Sequence, residues 1–176
     1  TPPVNACASQ SPVGHGYAIW LMPDAGLRTC CLQLMEAAGA HCDGPHFAPH
    51  LTVLSGFQTP DEALRVALTM SEGFTGPLPV RLTGLACSEH YFQAVTLRTG
   101  PCAALRDLRA RAERLAHRPP GAYSPHLSLA YGRATSALES QLGEIRSRLP
   151  LDGTLDRLET WQLVGHAHQW ARIDAR

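Results

Sequence analysis

The two segments that decide the fold of this 176-residue chain are PHLTVLSG at residues 49–56 and PHLSLAYG at residues 125–132. Each segment places a histidine and a hydroxyl residue two positions apart in a short apolar stretch bounded by Pro and Gly, a pattern typical of a β-strand. Because residues i and i+2 of a strand point to the same face, each segment sets one imidazole beside one hydroxyl. The pairs are His50 with Thr52 and His126 with Ser128.

Two copies of this pattern, nearly half a chain length apart, are harder to obtain by chance than one. A structural interpretation is that Pro-His-Leu merely begins a strand in each half of a duplicated chain. The functional interpretation is favoured, because two polar residues on an otherwise apolar strand need a reason to be there. If the strands face each other, two imidazoles and two hydroxyls surround one cavity, an arrangement suited to acid–base chemistry on a phosphate.

Composition and charge limit the kind of protein. A chain of 176 residues with 44% hydrophobic and 17% charged residues suits one globular domain and excludes a disordered chain. Its formal net charge of 0 makes long duplex nucleic acid a poor partner, whereas a small phosphorylated substrate or an RNA end is compatible. No apolar run has the length of a membrane span, and no signal-peptide pattern is present, so we expect a cytoplasmic protein without membrane contact.

The six cysteines show neither CxxC pairs nor the spacing of a zinc site, so we expect no metal site. We interpret them as mostly buried thiols of a reducing compartment, with an incidental disulfide as the alternative. His166 and His168 form a further His-x-His pattern, for which a metal site or a third catalytic pair competes with a surface turn, the interpretation that we favour. The cysteines are Cys7, Cys30, Cys31, Cys42, Cys87 and Cys102.

The order of predicted elements repeats in the two halves of the chain. Strands with short connections favour antiparallel pairing, and helices packed on them make the fold α+β. We therefore predict a flexible tail over residues 1–13 and a single bilobal domain over 14–176, with two pseudo-symmetric lobes, each an antiparallel sheet flanked by helices, and the active site in the central cleft. Predicted strands are residues 15–22, 50–57, 78–86, 91–98, a segment at His126, 154–164 and 169–175, and predicted helices are 24–38, 59–70, 101–116 and 136–148.

Two of these helices carry capping signals at their first turn. Thr59 precedes Pro60 and lies three residues before Glu62, and Ser136 lies three residues before Glu139. The helix over 101–116 is rich in arginine, which indicates a solvated face more than a nucleic-acid patch.

The paired His-x-(Thr/Ser) segments resemble the two-histidine phosphoesterase superfamily, which includes RNA ligase-like cyclic phosphodiesterases, and within it the cyclic phosphodiesterases of plants and yeast. The resemblance covers most of the chain and implies a bilobal fold with metal-free, cofactor-free hydrolysis of a cyclic phosphate. The implied substrates are ADP-ribose 1″,2″-cyclic phosphate, a by-product of tRNA splicing, and nucleoside 2′,3′-cyclic phosphates. The matching stretches are AIWLMP at 18–23, GPHFAPHLTV at 44–53, YFQAV at 91–95, YSPHLSLAY at 123–131, and Trp170.

The chemistry of opening a cyclic phosphate assigns roles to the four residues of the two segments, His50, Thr52, His126 and Ser128. One imidazole acts as the base and the other as the acid, an assignment that the sequence leaves open, while the hydroxyls stabilise charge on the phosphate oxygens. The resemblance also implies a tyrosine near the phosphate, here Tyr131, although a regular strand would turn it away from Ser128. Further candidates for binding substrate are Trp20, Tyr91, Tyr123 and His46, for which packing in the core or a surface position is the alternative.

Three functions are compatible with these residues. The favoured one is a monomeric enzyme that acts on small cyclic nucleotides. The second is an enzyme acting on 2′,3′-cyclic or 2′–5′ ends of RNA, against which the neutral charge weighs modestly. The third is a nucleotide-binding module without catalysis, against which the presence of both histidines argues.

Overall fold

The computed structural model describes residues 12–173 of the chain. These residues contain seven β-strands, four α-helices and two 3-10 turns. The predicted tail falls almost entirely outside these residues. The strands are β1 (Tyr17–Pro23), β2 (Leu51–Phe57), β3 (Leu78–Cys87), β4 (Val95–Thr99), β5 (His126–Ala130), β6 (Leu151–Gln162) and β7 (Ala171–Arg172). The helices are α1 (Ala25–Gly39), α2 (Pro60–Glu72), α3 (Ala103–Leu115) and α4 (Leu138–Ser147), and the 3-10 turns are Tyr91–Gln93 and Ala167–Gln169.

Side-chain caps explain where the first two helices begin. The Asp24 carboxylate accepts a hydrogen bond from Leu27 N at 2.8 Å, and the Thr59 hydroxyl accepts one from Glu62 N at 3.3 Å. The predicted cap at Ser136 is wrong, because α4 begins after Ala137 without a side-chain cap. No helix within residues 12–173 has both the length and the apolar character needed to cross a membrane.

The strands pair antiparallel in the order β1-β2-β5-β4-β3-β6-β7, and β1 also pairs with β6. The long strand β6 changes partner at Leu155: its first residues pair with β3 and the rest with β1. On the opposite side of the sheet, β2 and β5 share the single pair Leu51–Leu127. The sheet therefore consists of two strand groups, β7-β6-β1-β2 and β6-β3-β4-β5, which meet at β6 and at this one pair.

Helices from both halves of the chain cover each strand group. Helices α2 and α3 pack on β1, β2 and β6, whereas α1 and α4 pack mainly on β5 and β3. Thus α1, from the first half of the chain, covers strands of the second half, and α3 does the reverse. The predicted bilobal α+β fold with antiparallel pairing is confirmed, but each lobe draws elements from both halves of the chain.

Strand β1 is buried on both of its faces. Ile19 and Leu21 belong to the main hydrophobic core, whereas Ala18, Trp20 and Met22 form a smaller cluster on the other face. Because successive side chains of a strand alternate, Trp20 lies on the side away from the main core. This second face of β1 forms one wall of the cleft between the lobes.

The segment 91–98, predicted as one strand, begins with a 3-10 turn instead, and β4 starts only at Val95. The turn is fixed by Gln93 N donating to His90 O at 2.9 Å and by the Ser88 hydroxyl donating to Gln93 O at 2.8 Å. These local bonds replace the ladder bonds of a strand and direct Phe92 toward the cleft.

The cysteines are less buried than the sequence suggested. Of the five within the described residues, all are free thiols, Cys31 alone is buried and Cys87 is exposed. Burial raises the pKa of the Cys31 thiol to about 12, which makes it unreactive. Cys7 lies outside the described residues.

Candidate active site

The two His-x-hydroxyl segments meet where β2 pairs with β5. Leu51 and Leu127 form the antiparallel pair, and both are buried in the main core. In this register His50 lies opposite Ser128 and Thr52 lies opposite His126, on the face away from the core. The pairing of two buried leucines therefore brings the four predicted catalytic side chains together.

All four of these side chains line one cavity of about 470 Å³ in the cleft. This volume lies within the range of small-molecule sites in proteins. Its lining combines polar side chains with four aromatic side chains. The other lining residues include Trp20, Phe92, Gln93, Tyr131, Leu163 and Trp170.

Both imidazoles are oriented by the same local hydrogen bond. His50 Nδ1–H donates to Ala48 O at 2.7 Å, and His126 Nδ1–H donates to Ser124 O at 2.9 Å. A carbonyl oxygen only accepts, so Nδ1 carries the proton in each ring. Each neutral ring therefore has its lone pair on Nε2, which is free to exchange protons with a ligand.

The surroundings of the two histidines differ. His50 is 7% exposed, and its ring stacks on Trp20 with the centroids 3.5 Å apart. Burial lowers the pKa of His50 from 6.5 to about 4; the bond to Ala48 acts in the opposite direction, and the charge of a protonated His126 lowers the pKa further. His126 is only half-buried. The fold thus holds His50 neutral near pH 7.

Of the two hydroxyl residues, Ser128 is the more deeply buried, at 6% exposure. Its hydroxyl donates to Phe92 O at 3.2 Å. Thr52 is half-buried and lies beside His126. Both hydroxyls can donate to an oxygen bound between the imidazoles after a rotation about χ1.

Tyr131 reaches the cavity because β5 ends just before it. The strand stops at Ala130, and Gly132 adopts a φ of 98°, a left-handed conformation that suits glycine. The Tyr131 ring stacks on Phe47, with centroids 3.6 Å apart. Burial raises the pKa of its hydroxyl, which therefore stays protonated and able to donate a hydrogen bond.

The remaining candidates for substrate binding are placed differently. Trp20 supports the His50 ring inside the cavity. Tyr123 lines an adjoining cavity, and its hydroxyl donates to Thr52 O at 3.0 Å. Tyr91 lines a third cavity, and His46 is exposed and outside the lining of the histidine cavity. Substrate contact by these residues stays a prediction.

Aromatic residues outside the two segments complete the cavity wall. Phe92 lines the cavity together with Trp170, and their ring centroids are 5.6 Å apart. Phe92 lies in one 3-10 turn, and Trp170 directly follows the other. In such short segments the spacing of apolar residues does not indicate the direction of a side chain. The resemblance of the segment around Phe92 and of Trp170 to the family was the available signal.

His166 and His168 lie at a 3-10 turn, as the interpretation of a surface turn suggested. Their rings stack with centroids 5.8 Å apart beside Tyr91. Between residues 12 and 173, no group of three or more His, Cys, Asp or Glu side chains is arranged to hold a metal ion. Independence from metal stays a prediction.

A two-lobed antiparallel fold with one His-x-hydroxyl segment at each of the neighbouring strands β2 and β5 is the arrangement expected of two-histidine phosphoesterases. Residues 32–167, which include both segments, match the family model of the 2′-5′ RNA ligase superfamily, and the chain belongs to this superfamily. The predicted superfamily, and with it the prediction of an enzyme, is confirmed.

Individual relatives agree with this assignment. A cyclic phosphodiesterase of Arabidopsis thaliana is 28% identical over 149 residues, which are 81% of this chain and 78% of the relative. The structure of TT0787 of Thermus thermophilus matches with a TM-score of 0.58 at 16% identity, covering 90% of this chain and 95% of that one. Escherichia coli LigT, solved in complex with 3′-AMP, matches with a TM-score of 0.59 at 10% identity, covering 91% and 95%. At these identities the two structures support the fold alone.

Proposed function

We propose that the chain is a cyclic phosphodiesterase that hydrolyses small nucleotide cyclic phosphates without a metal ion. The substrates are nucleoside 2′,3′-cyclic phosphates, opened to the 2′-phosphate, or ADP-ribose 1″,2″-cyclic phosphate, opened to the 1″-phosphate. The second compound is a by-product of tRNA splicing. The observation that carries the proposal is a single cavity in which two imidazoles with fixed tautomers face two hydroxyls. The name of the Arabidopsis relative supports it.

Hydrolysis of a cyclic phosphate needs two proton transfers on opposite sides of the phosphorus. Water attacks in line with the bond that breaks and loses a proton to a base, while the leaving ribose oxygen takes a proton from an acid. We assign these transfers to the Nε2 atoms of His50 and His126, which both line the cavity. The product is a phosphate monoester with a free neighbouring hydroxyl.

The difference in burial between the two histidines supports an assignment of the two roles. At pH 7 a group with a pKa of about 4 is protonated in only about one molecule in a thousand, so His50 is poorly suited to act as the acid. We therefore assign the role of base to His50 and the role of acid to His126, which is more open to solvent. Thr52 and Ser128 donate hydrogen bonds to the non-bridging oxygens, where negative charge builds up.

The pH dependence of kcat/KM tests whether the low pKa of His50 governs the reaction. Because kcat/KM reports the free enzyme, we expect its fall of tenfold per pH unit on the acid side only below about pH 4, where His50 becomes protonated. A kcat/KM that already falls tenfold as the pH is lowered from 6 to 5 would contradict a base with this low pKa. Proton NMR of the His50 ring, followed against pH, checks its titration independently of turnover.

Phosphorus NMR of the purified protein tests the proposed function itself. With a nucleoside 2′,3′-cyclic phosphate and EDTA present, we expect the signal of the cyclic ester to be replaced by that of the 2′-monophosphate. ADP-ribose 1″,2″-cyclic phosphate in a parallel sample tests the second substrate. Absence of turnover on both compounds would contradict the proposal, and turnover that EDTA abolishes would contradict its metal independence.

An enzyme acting on RNA ends is the second candidate function, and the superfamily assignment favours it. The formal net charge of 0 weighs against it, since binding of long nucleic acid depends on many basic contacts with phosphate. A short RNA that ends in a 2′,3′-cyclic phosphate distinguishes the two functions. If kcat/KM on this RNA exceeds that on the mononucleotide at least tenfold, the RNA end is the preferred substrate.

A further inference from the structure

A second cavity of about 430 Å³ adjoins the histidine cavity. The two cavities share Thr52, Gln93 and His126 in their linings, so a ligand bound between the histidines can extend from one into the other. The second cavity continues from His126 onto strand β4. The proposed mechanism assigns no role to this second cavity.

Strand register places Arg98 beside His126 at the entrance of this second cavity. Arg98 on β4 pairs directly with His126 on β5, and the next pair on the same face is Thr96 with Ser128. Opposite residues of an antiparallel pair share a face and lie about 5 Å apart at Cα. The Arg98 side chain therefore starts from the same surface as the catalytic imidazole, and it is exposed.

The other arginine of this cavity is occupied by structural contacts. Arg109 forms an ion pair with Glu113 at 2.7 Å and donates to Val53 O at 2.8 Å. Its guanidinium also lies 5.2 Å from the centroid of the Tyr123 ring. This network connects α3 to β2 and leaves little of the Arg109 charge for a ligand.

Arg98, by contrast, has no acidic partner among the described residues. Within residues 12–173 no ion pair involves Arg98, and the lining of the second cavity contains neither Asp nor Glu. A guanidinium presents two parallel N–H donors that match a phosphate group. An open cavity next to the catalytic histidine thus offers a site for an anion.

We propose that Arg98 binds a second phosphate of the substrate, one carried by the same small nucleotide whose cyclic phosphate lies between the histidines. This inference rests on the proposed function and narrows it to nucleotides that carry a phosphate group in addition to the cyclic one, as ADP-ribose 1″,2″-cyclic phosphate does. The joint lining of the two cavities at His126 explains how one molecule reaches both sites. The neutral formal charge of the chain favours a small nucleotide over an RNA strand.

Binding of product analogues tests the proposal without depending on turnover. By calorimetry we expect adenosine 2′,5′-bisphosphate to bind the wild-type protein about tenfold more tightly than adenosine 2′-monophosphate, as a charge-assisted bond at an exposed arginine provides. Arg98→Gln should remove this difference, and Arg98→Lys should restore part of it. Arg106→Gln is the matched control, since Arg106 is an exposed arginine of α3 that lines none of the three cavities around the site.

The possible results separate this inference from the proposed function. Equal binding of both analogues by the wild type overturns the second-phosphate site. An equal loss of affinity for both analogues in Arg98→Gln also overturns it, because Arg98 would then contact the reacting phosphate. Turnover of cyclic phosphates, measured separately, decides the proposed function. If a dinucleotide with a 2′,3′-cyclic end gains kcat/KM through Arg98 and a 5′-phosphorylated mononucleotide does not, the second phosphate belongs to RNA, and the assignment to a small nucleotide is overturned.

Discussion

Replacing either histidine of the two segments, by His50→Ala or His126→Ala, is expected to lower kcat/KM on a nucleoside 2′,3′-cyclic phosphate by about 10³-fold or more. In the proposed mechanism each imidazole transfers one proton in the same displacement, and general acid–base catalysis by a positioned side chain contributes about 10²- to 10⁴-fold. The double variant should lose little more than either single variant, because residues that act as a unit are not additive. Initial rates from chromatography of the 2′-monophosphate provide the measurement.

His168→Ala serves as the control, since His168 is an exposed histidine at a turn outside the histidine cavity. It should retain wild-type kcat/KM. Because His50 also packs on Trp20, circular dichroism and thermal unfolding must show that His50→Ala is folded before its rate is interpreted. A folded variant at either histidine that retains more than a tenth of wild-type activity would exclude that imidazole from the proton transfers.

The sequence predicted that the two histidines come together. Their meeting depends only on the alternation of side chains along a strand and on the pairing of two strands. The spacing of His50 and Thr52 fixes their common face, and the burial of Leu51 fixes which face this is. The start of the second helix was predictable for a similar reason, since the cap at Thr59 acts within one turn. These features require no knowledge of distant contacts.

Other features depend on contacts between residues far apart in the chain and could not be predicted. The exchange of α1 and α3 between the lobes depends on how the helices cross the sheet. The repeated sequence pattern does not encode these crossings. Arg98 gains its position from the pairing of β4 with β5, and the end of β5 turns Tyr131 into the cavity. The low pKa of His50 follows from burial against Trp20, a residue 30 positions earlier (50 − 20).

The pairing of β2 with β5 connects the hydrophobic core to the geometry of the site. Two buried leucines, Leu51 and Leu127, hold the strands together at one point, and the residues on either side of each leucine face the cleft. A rigid core thereby fixes the relative positions of groups that come from opposite halves of the chain. Such preorganisation lowers the cost of arranging donors and acceptors at the moment of reaction.

Removing the hydroxyls should slow the reaction without removing the proton transfers. For Thr52→Val and for Ser128→Ala we expect a loss of about 10²-fold in kcat, the size found for removal of one donor that stabilises developing negative charge. KM should change less, because these bonds strengthen as charge accumulates on the phosphate oxygens in the transition state. Steady-state kinetics on a nucleoside 2′,3′-cyclic phosphate separates the two parameters.

Ser71→Ala is the matched control for Ser128→Ala. The Ser71 hydroxyl donates to Ala67 O at 2.9 Å in α2, as the Ser128 hydroxyl donates to Phe92 O, but Ser71 lies outside the histidine cavity. Loss of a bond to a backbone carbonyl alone should therefore leave kcat unchanged in Ser71→Ala. If Ser128→Ala also retained kcat within threefold of wild type while Thr52→Val lost activity, stabilisation of the phosphate oxygens would fall to Thr52 alone, and the pair of strands would contribute unequally to the reaction.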